Sequence, residues 1–394
     1  MKAVVIRNGT DRQYVTVADL PVPIPTGRDD VLIRVLSVGL DGTDREIVRD
    51  RYGVLPEGAE QMVIGHELLG VIEQAGPESG LTRGELATAL VRRPCGDAAC
   101  AACRHGQQDY CQSGAYTERG IRGADGFLSE YVVEQARYVV PIPAVCAPYG
   151  VLVEPQSIVE KVCSQIAIVQ QRVKWEPRTA LITGSGPLGI LTALTCRTMG
   201  LDTHVWSRSG DDSVNASLIR RCGAFYHEAK DDGGTALPDT QPPGAEDRHF
   251  TSGLQQFAES QDIRPDIIWE CSGHTPLAFE SIQLLNPNGV LAILGVTSGS
   301  RRLHIPCDLL NQEMVLKNKC IIGSVNASRA DFVTGIRRLQ EMERDFPGLL
   351  DSMMTDRLAM AQVPELDFSS VAVKAVVDLA GSARQAYKAG DEPI

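Results

Sequence analysis

Short apolar runs punctuated by glycine and proline fill the first 145 residues: "MKAVVI", "DDVLIRVLSVGL", "LLGVIEQAG", "LATALV" and "YVVPIP". Runs of this length and spacing predict strands, and many short strands in succession predict a barrel or sandwich. The pattern then changes period. In "VLVEPQSIVEKVCSQIAIVQQRV" the apolar residues Ile158, Val162, Ile166 and Val169 recur at helical spacing.

From about residue 175 the chain alternates. "RTALITGSGPLGILTALTCRTMGLDTHVWSR" reads as strand, glycine turn, helix, strand. "PDIIWECSG" and "GVLAILGV" read as buried strands, with "PLAFESIQLLNPNG" as a helix between them. Such β-α-β alternation predicts an α/β unit with a doubly wound parallel sheet. Residues 230–252, polar and rich in Pro and Gly, read as a surface insertion. After "NKCIIGSVNAS" come an amphipathic helix, "ADFVTGIRRLQEME", and a last strand, "VAVKAVVDL". The expected division is 1–174, 175–324 and 325–394, the third part returning to the first.

Length and charge bound the function. A chain of 394 residues exceeds one ordinary core. A net charge of −12 repels nucleic acid, so no such partner is expected. No apolar core follows the first basic residue, so no signal peptide is read, and no apolar run reaches the ~18 residues a membrane span needs. The expected setting is the cytoplasm, where thiols stay reduced.

Against that background "RRPCGDAACAACRHGQQDYC" stands out. Its cysteines are Cys95, Cys100, Cys103 and Cys111. A reducing compartment disfavours a disulfide knot. Cys100 and Cys103 alone fit a redox pair. All four together fit a closed tetrahedral zinc site, which leaves no open position and is therefore structural. The other seven cysteines carry no metal spacing and read as buried small hydrophobes.

Gly184, Gly186 and Gly189 form G-x-G-x-x-G after an apolar strand and at a helix start, the context of a dinucleotide loop. Pro187 and Leu188 belong to the same turn. The next strand ends Ser207-Arg208-Ser209, without the carboxylate that holds an NAD ribose. Arg208 and the two hydroxyls suit a 2′-phosphate, which points to NADP, with NAD the alternative. Ser272, Gly273, Leu294, Gly295 and Val296 end strands of the same unit and are expected on the nicotinamide side.

Gly65-His66-Glu67-x-x-Gly70, taken with the cysteine lobe and the nucleotide loop, resembles the medium-chain zinc-dependent alcohol dehydrogenase family. "GLDGTDREI", "DGFLSEY", "LVEPQSIVEK" and "EMVLKNKCIIGSVNA" are similar to segments of its glucose 1-dehydrogenase branch, the last to the strand that enters the active site. The resemblance implies a GroES-like β-barrel catalytic domain with a Rossmann domain, and two zinc ions per chain. It places catalytic-zinc ligands at Asp41 and His66 with Glu67 or Glu154, and a proton relay at Thr43. The family more often has Cys where Asp41 stands. Asp44 is a rival carboxylate, expected behind the ligands. Glu118, Glu154, Asn326 and Thr43 are implied sugar contacts. Ser324, Asn326 and Lys374 are implied cofactor contacts. The implied reaction oxidises a sugar or polyol hydroxyl, foremost D-glucose to its 1,5-lactone, in a homodimer or homotetramer. The alternatives are another polyol, aminocyclitol or secondary-metabolite sugar as substrate, or a non-catalytic nucleotide-binding protein keeping only the structural zinc.

Overall fold

The computed structural model describes residues 1–8, 14–229, 253–296 and 305–379; the stretch 230–252, read above as an insertion, lies outside them. The N-terminal apolar runs become β1 (Lys2–Arg7), β2 (Val15–Asp19), β3 (Asp30–Leu40), β4 (Gln61–Val63), β5 (Glu67–Ala75) and β6 (Leu86–Ala89). They are followed by β7 (Arg92–Arg93), β8 (Thr117–Arg119), β9 (Gly123–Ala124), β10 (Tyr131–Gln135) and β11 (Val139–Ile142). β3 is the hub. It pairs antiparallel with both β5 and β10. Its first half alternates, burying Val31, Ile33 and Val35, while Val38 and Leu40 further on are also buried.

β3 runs straight into the helix Gly42–Asp50, which the apolar pattern does not predict. After the turns of Ala144–Leu152 the chain enters the helix Val153–Gln170. Pro155 sits in its first turn, where a missing N–H costs no helical bond. The chain divides into two compact units, residues 1–161 with the segment from 326 onward, and residues 162–325. The first break falls inside this helix, earlier than the sequence boundary at 175.

In the second unit lie β12 (Thr179–Thr183), β13 (Asp202–Ser207), β14 (Phe225–Glu228), β15 (Ile267–Glu270), β16 (Val290–Ile293) and β17 (Cys320–Gly323). All are parallel, in the order β14-β13-β12-β15-β16-β17. β15 is wholly buried, as expected for a strand covered on both faces. The order reverses between β12 and β15, which makes that junction the switch point. "EMVLKNKCIIGSVNA" divides: its first residues close the helix Cys307–Leu316, Asn318 turns the chain at φ 50°, and only Cys320–Gly323 is strand. A left-handed Asn just past a helix end is a common stop.

The return segment to the first unit opens with the helix Arg329–Asp345, started by a Ser328–Asp331 capping box. β18 (Asp356–Leu358) and β19 (Ala375–Asp378) follow. β19 pairs antiparallel with β3, setting Ala375 opposite Leu40 and so bringing Lys374 to the end of β3. Of the seven cysteines read as buried, Cys146, Cys196 and Cys222 are buried and Cys163, Cys271 and Cys320 are half-buried. Cys307 is exposed, in the first turn of its helix.

Candidate active site and metal centres

The end of β3, the start of β5 and the first turn of the helix Val153–Gln170 bring Asp41, His66, Glu67 and Glu154 together. Ligand atoms of His66, Glu67 and Glu154 lie within 4.8 Å of one another, as do those of Asp41, Asp44 and His66. Asp41 divides its carboxylate. Oδ1 accepts the backbone N–H of Thr43 (2.7 Å) and of Asp44 (3.1 Å), capping the helix Gly42–Asp50. Oδ2 faces His66 Nε2 at 3.6 Å and accepts the Thr43 hydroxyl at 3.3 Å. Asp44 is fully buried behind them; its Oδ2 accepts the Asp41 N–H and stands 3.7 Å from His66 Nδ1.

Glu67 turns to Lys374, and both are buried in an ion pair. Lys374, expected at the cofactor, thus has its ammonium on Glu67, because a cation so deeply buried needs a carboxylate. Gly39 makes room for the pair: a Cβ there would lie 1.9 Å from Glu67 Oε2.

Electrostatics mark the cluster as cation-seeking. Burial raises the Glu154 carboxyl to about 8, with help from Glu67 and Asp41 and against the pull of His66. Burial likewise raises Asp44 to about 7, helped by Asp41. Burial opposes ionisation of Asp41 too, but His66 and Lys374 outweigh it and hold Asp41 well below the carboxylate range. His66 is desolvated, yet Asp41 and Asp44 push it well above its usual value. The cluster therefore holds protons that a dication would displace. Among the described residues, buried Asp44 Oδ1, His66 Nδ1 and Glu67 Oε2 lack a hydrogen-bond partner. One imidazole with carboxylates is a donor set that suits zinc.

Glu118 and Asn326 also meet: Asn326 Nδ2 donates to Glu118 Oε1 at 3.0 Å. Asn326 holds a left-handed backbone at φ 60°, its Oδ1 accepting the N–H of Ala327.

The four cysteine sulfurs lie within 4.8 Å of one another, close to the ~3.8 Å edge of a zinc–thiolate tetrahedron. Cys100 Sγ and Cys111 Sγ, 4.0 Å apart, are not joined by a disulfide; the Cys100 thiol donates to Cys111 Sγ. Backbone N–H groups of Cys103 and Gln112 pull the Cys100 thiol down to about 6, preparing a thiolate.

In the second unit Gly184 ends β12 at φ 97°, a conformation that favours glycine. A Cβ on Gly189 would lie 2.1 Å from Gly184 O, whereas one on Gly186 would meet nothing within 4 Å. The open side of Gly186, at the N-terminus of the helix Pro187–Thr198, leaves space for a phosphate. Ser185 Oγ bonds to Ser207 Oγ (2.8 Å) and Ser209 Oγ (3.2 Å), and Arg208 beside them is exposed. Ser272 and Gly273 follow β15; Leu294, Gly295 and Val296 follow β16. Gly295 packs so closely on Gly273 that a Cβ would lie 2.3 Å from its nitrogen. Ser324, after β17, has a buried hydroxyl that meets no hydrogen-bond partner among the described residues.

Residues 27–144 match the alcohol dehydrogenase GroES-like domain, and residues 147–243 and 249–379 match the glucose dehydrogenase C-terminus. Over 366 residues the chain is 36% identical to a glucose 1-dehydrogenase of Methanocella arvoryzae, covering 93% of this chain and 95% of that one. The chain belongs to the glucose dehydrogenase branch of the medium-chain zinc-dependent alcohol dehydrogenases. Another member, glucose 1-dehydrogenase 1 of Haloterrigena turkmenica, is 34% identical over 377 residues, 90% of this chain and 96% of that one. Haloferax mediterranei glucose dehydrogenase, solved in complex with NADP, zinc and gluconolactone, superposes with a TM-score of 0.84 at 28% identity, covering 97% of this chain and all of that one.

Within this family member, sequence reasoning passed over Ser185 and Asn215, whose Nδ2 donates to Ser185 O at 2.7 Å. Ser185 lies inside the glycine motif, so position alone was a usable signal. It also passed over Arg92 and Asp109, which nothing local distinguishes from surface charges.

Proposed function

We propose that the chain is an NADP- and zinc-dependent glucose 1-dehydrogenase, converting D-glucose or a related aldose to its 1,5-lactone. The observation that carries this is the pair of donor groups sharing His66, one with Asp41 and Asp44 and one with Glu67 and Glu154, in the same unit as the Glu118–Asn326 pair. Asp41, His66 and Glu154 would hold the zinc, while Lys374 keeps Glu67 in reserve beside them. When bound, zinc supplies a Lewis acid that acidifies the sugar hydroxyl, and NADP⁺ supplies the hydride acceptor.

The chain's own residues do the rest. Thr43 Oγ1, which donates to Asp41 Oδ2, would accept the proton of the anomeric hydroxyl while giving its own to the cofactor ribose or to water. Asp44, 3.7 Å from Nδ1, sets a negative charge behind the His66 ring, whose Nε2 faces Asp41 Oδ2. Glu118 and Asn326 fix ring hydroxyls, since a polyol leaves costly unpaired groups wherever the site fails to bond it. Arg208, Ser207, Ser209 and Ser185 receive the 2′-phosphate. Cys95, Cys100, Cys103 and Cys111 hold the second, structural zinc.

Among the described residues no helix is long and apolar enough to cross a membrane; a cytoplasmic setting fits the cysteine thiols. β17 is a sheet edge with Ile321 exposed, which supports assembly as a homodimer or homotetramer. The test is a panel of aldoses, alditols and aminocyclitols with NADP⁺ and NAD⁺. Glucose turnover with NADP⁺ and lactone as product is expected. Turnover confined to an alditol or aminocyclitol, or none at all, would sink the reading.

A further inference from the structure

Arg92 is 4% exposed and Asp109 is 6% exposed, and both are charged. Arg92 lies on β7, three residues before the first metal-spaced cysteine; Asp109 lies two residues before the last. The Arg92 guanidinium reaches two ways. Its Nε (3.1 Å) and one terminal nitrogen (2.9 Å) donate to Glu118 Oε1, and the other terminal nitrogen donates to the backbone oxygen of Asp109 (3.1 Å). The Tyr116 ring covers its face at 3.7 Å. The Asp109 carboxylate in turn pairs with buried Lys161 at 2.9 Å, on the helix that presents Glu154.

Among the described residues, the hydrogen bonds donated to the Glu118 carboxylate thus gather on Oε1, two from Arg92 and one from Asn326. Among the described residues no hydrogen bond engages Oε2. A carboxylate held on one oxygen by a planar, stacked guanidinium is fixed in rotation, with its other oxygen aimed at whatever binds there.

We propose that Arg92 and Asp109 are positioning residues of the sugar subsite, through which the four-cysteine lobe sets the direction of Glu118. The lobe's loop is then more than a stabilising knot. Its Asp109 carbonyl fixes Arg92, Arg92 fixes Glu118, and its Asp109 carboxylate anchors the helix of Glu154. The inference rests on the proposed reading of Glu118 as a polyol contact.

The test compares full-length, zinc-replete wild type with Arg92→Met, Arg92→Lys and Asp109→Asn. Glucose KM, kcat, NADP⁺ affinity by fluorescence, zinc per chain and Tm are all measured. Arg92→Met is expected to raise glucose KM about tenfold, as loss of charge-assisted bonds does, with a much smaller change in kcat. NADP⁺ affinity and zinc content stay as in wild type. Arg92→Lys restores one bond but not the fork, and is expected to raise KM about threefold. Asp109→Asn keeps the carbonyl and loosens only the Lys161 side, so its KM rises less than that of Arg92→Met. A merely structural role would lower Tm and weaken sugar and cofactor alike, and that joint shift would overturn the proposal. So would a glucose KM in folded Arg92→Met equal to wild type. Should Arg92→Met not fold, Arg92→Lys decides, and an unmoved KM there overturns the proposal. A wild type without aldose turnover removes the reading of Glu118 itself, whereas turnover with unmoved KM removes only the positioning.

Discussion

Asp41 caps a helix with one carboxylate oxygen and faces His66 Nε2 at 3.6 Å with the other. The two duties separate by substitution. Asn caps as well as Asp but brings no charge. Asp41→Asn is therefore expected to melt close to wild type yet lose one zinc per chain and at least ~100-fold in kcat/KM. Asp41→Ala loses the cap as well, costing a further ~1 kcal/mol of stability. Metal analysis with thermal melts checks both; wild-type zinc content in Asp41→Asn would remove Asp41 from the ligands.

Cys103 lies among four sulfurs within 4.8 Å. Cys103→Ser opens the thiolate tetrahedron, so zinc content is expected to fall by one ion per chain and Tm to drop by several degrees. A soluble variant with unchanged zinc and melting contradicts the structural-zinc assignment.

Arg208 is exposed beside the linked hydroxyls of Ser185, Ser207 and Ser209. Arg208→Ala is expected to weaken NADP⁺ binding by about 2 kcal/mol, roughly 30-fold, and NAD⁺ binding hardly at all. Titration with both cofactors decides; equal losses would mean that Arg208 does not read the 2′-phosphate.

His227 packs against His204 and Phe257 in the second unit. Burial first, then His204 and Arg220, lower its pKa to about 4. The unfolded chain binds this proton from about pH 6.5 downward, the folded chain only near 4. The contribution to stability is intact above the unfolded pKa and is lost as pH falls through that window. Wild type should therefore lose more Tm than His227→Gln between those pH values. Parallel melting curves for the two proteins would refute this.

The strands, the nucleotide turn and the cysteine lobe were legible because each is a local pattern: alternation, a glycine spacing, a thiol spacing. Asp41 was placed by resemblance, but its helix was not foreseen, since "GTDREIVRD" carries few apolar residues to betray a period. The Glu67–Lys374 pair spans 307 positions of chain, and the Arg92–Glu118 pair spans 26. Such partners are chosen by the fold, through β19 beside β3 in one case and β7 beside β8 in the other. Arg92 therefore reads as an ordinary charge, and Lys374 as a cofactor contact rather than the partner of Glu67, until the sheets are assembled.

The notch at Gly39 restricts how this chain can diverge. Alanine, the smallest change, would set a methyl group 1.9 Å from Glu67 Oε2 and 3.0 Å from Lys374 Cε. Neither partner has water to retreat into, so the added methyl would force the carboxylate off its ammonium and leave two opposite charges stranded. A library randomised at this one codon, selected for growth on the substrate, should return glycine alone, although the residue touches no ligand. What holds this position is an absence of atoms.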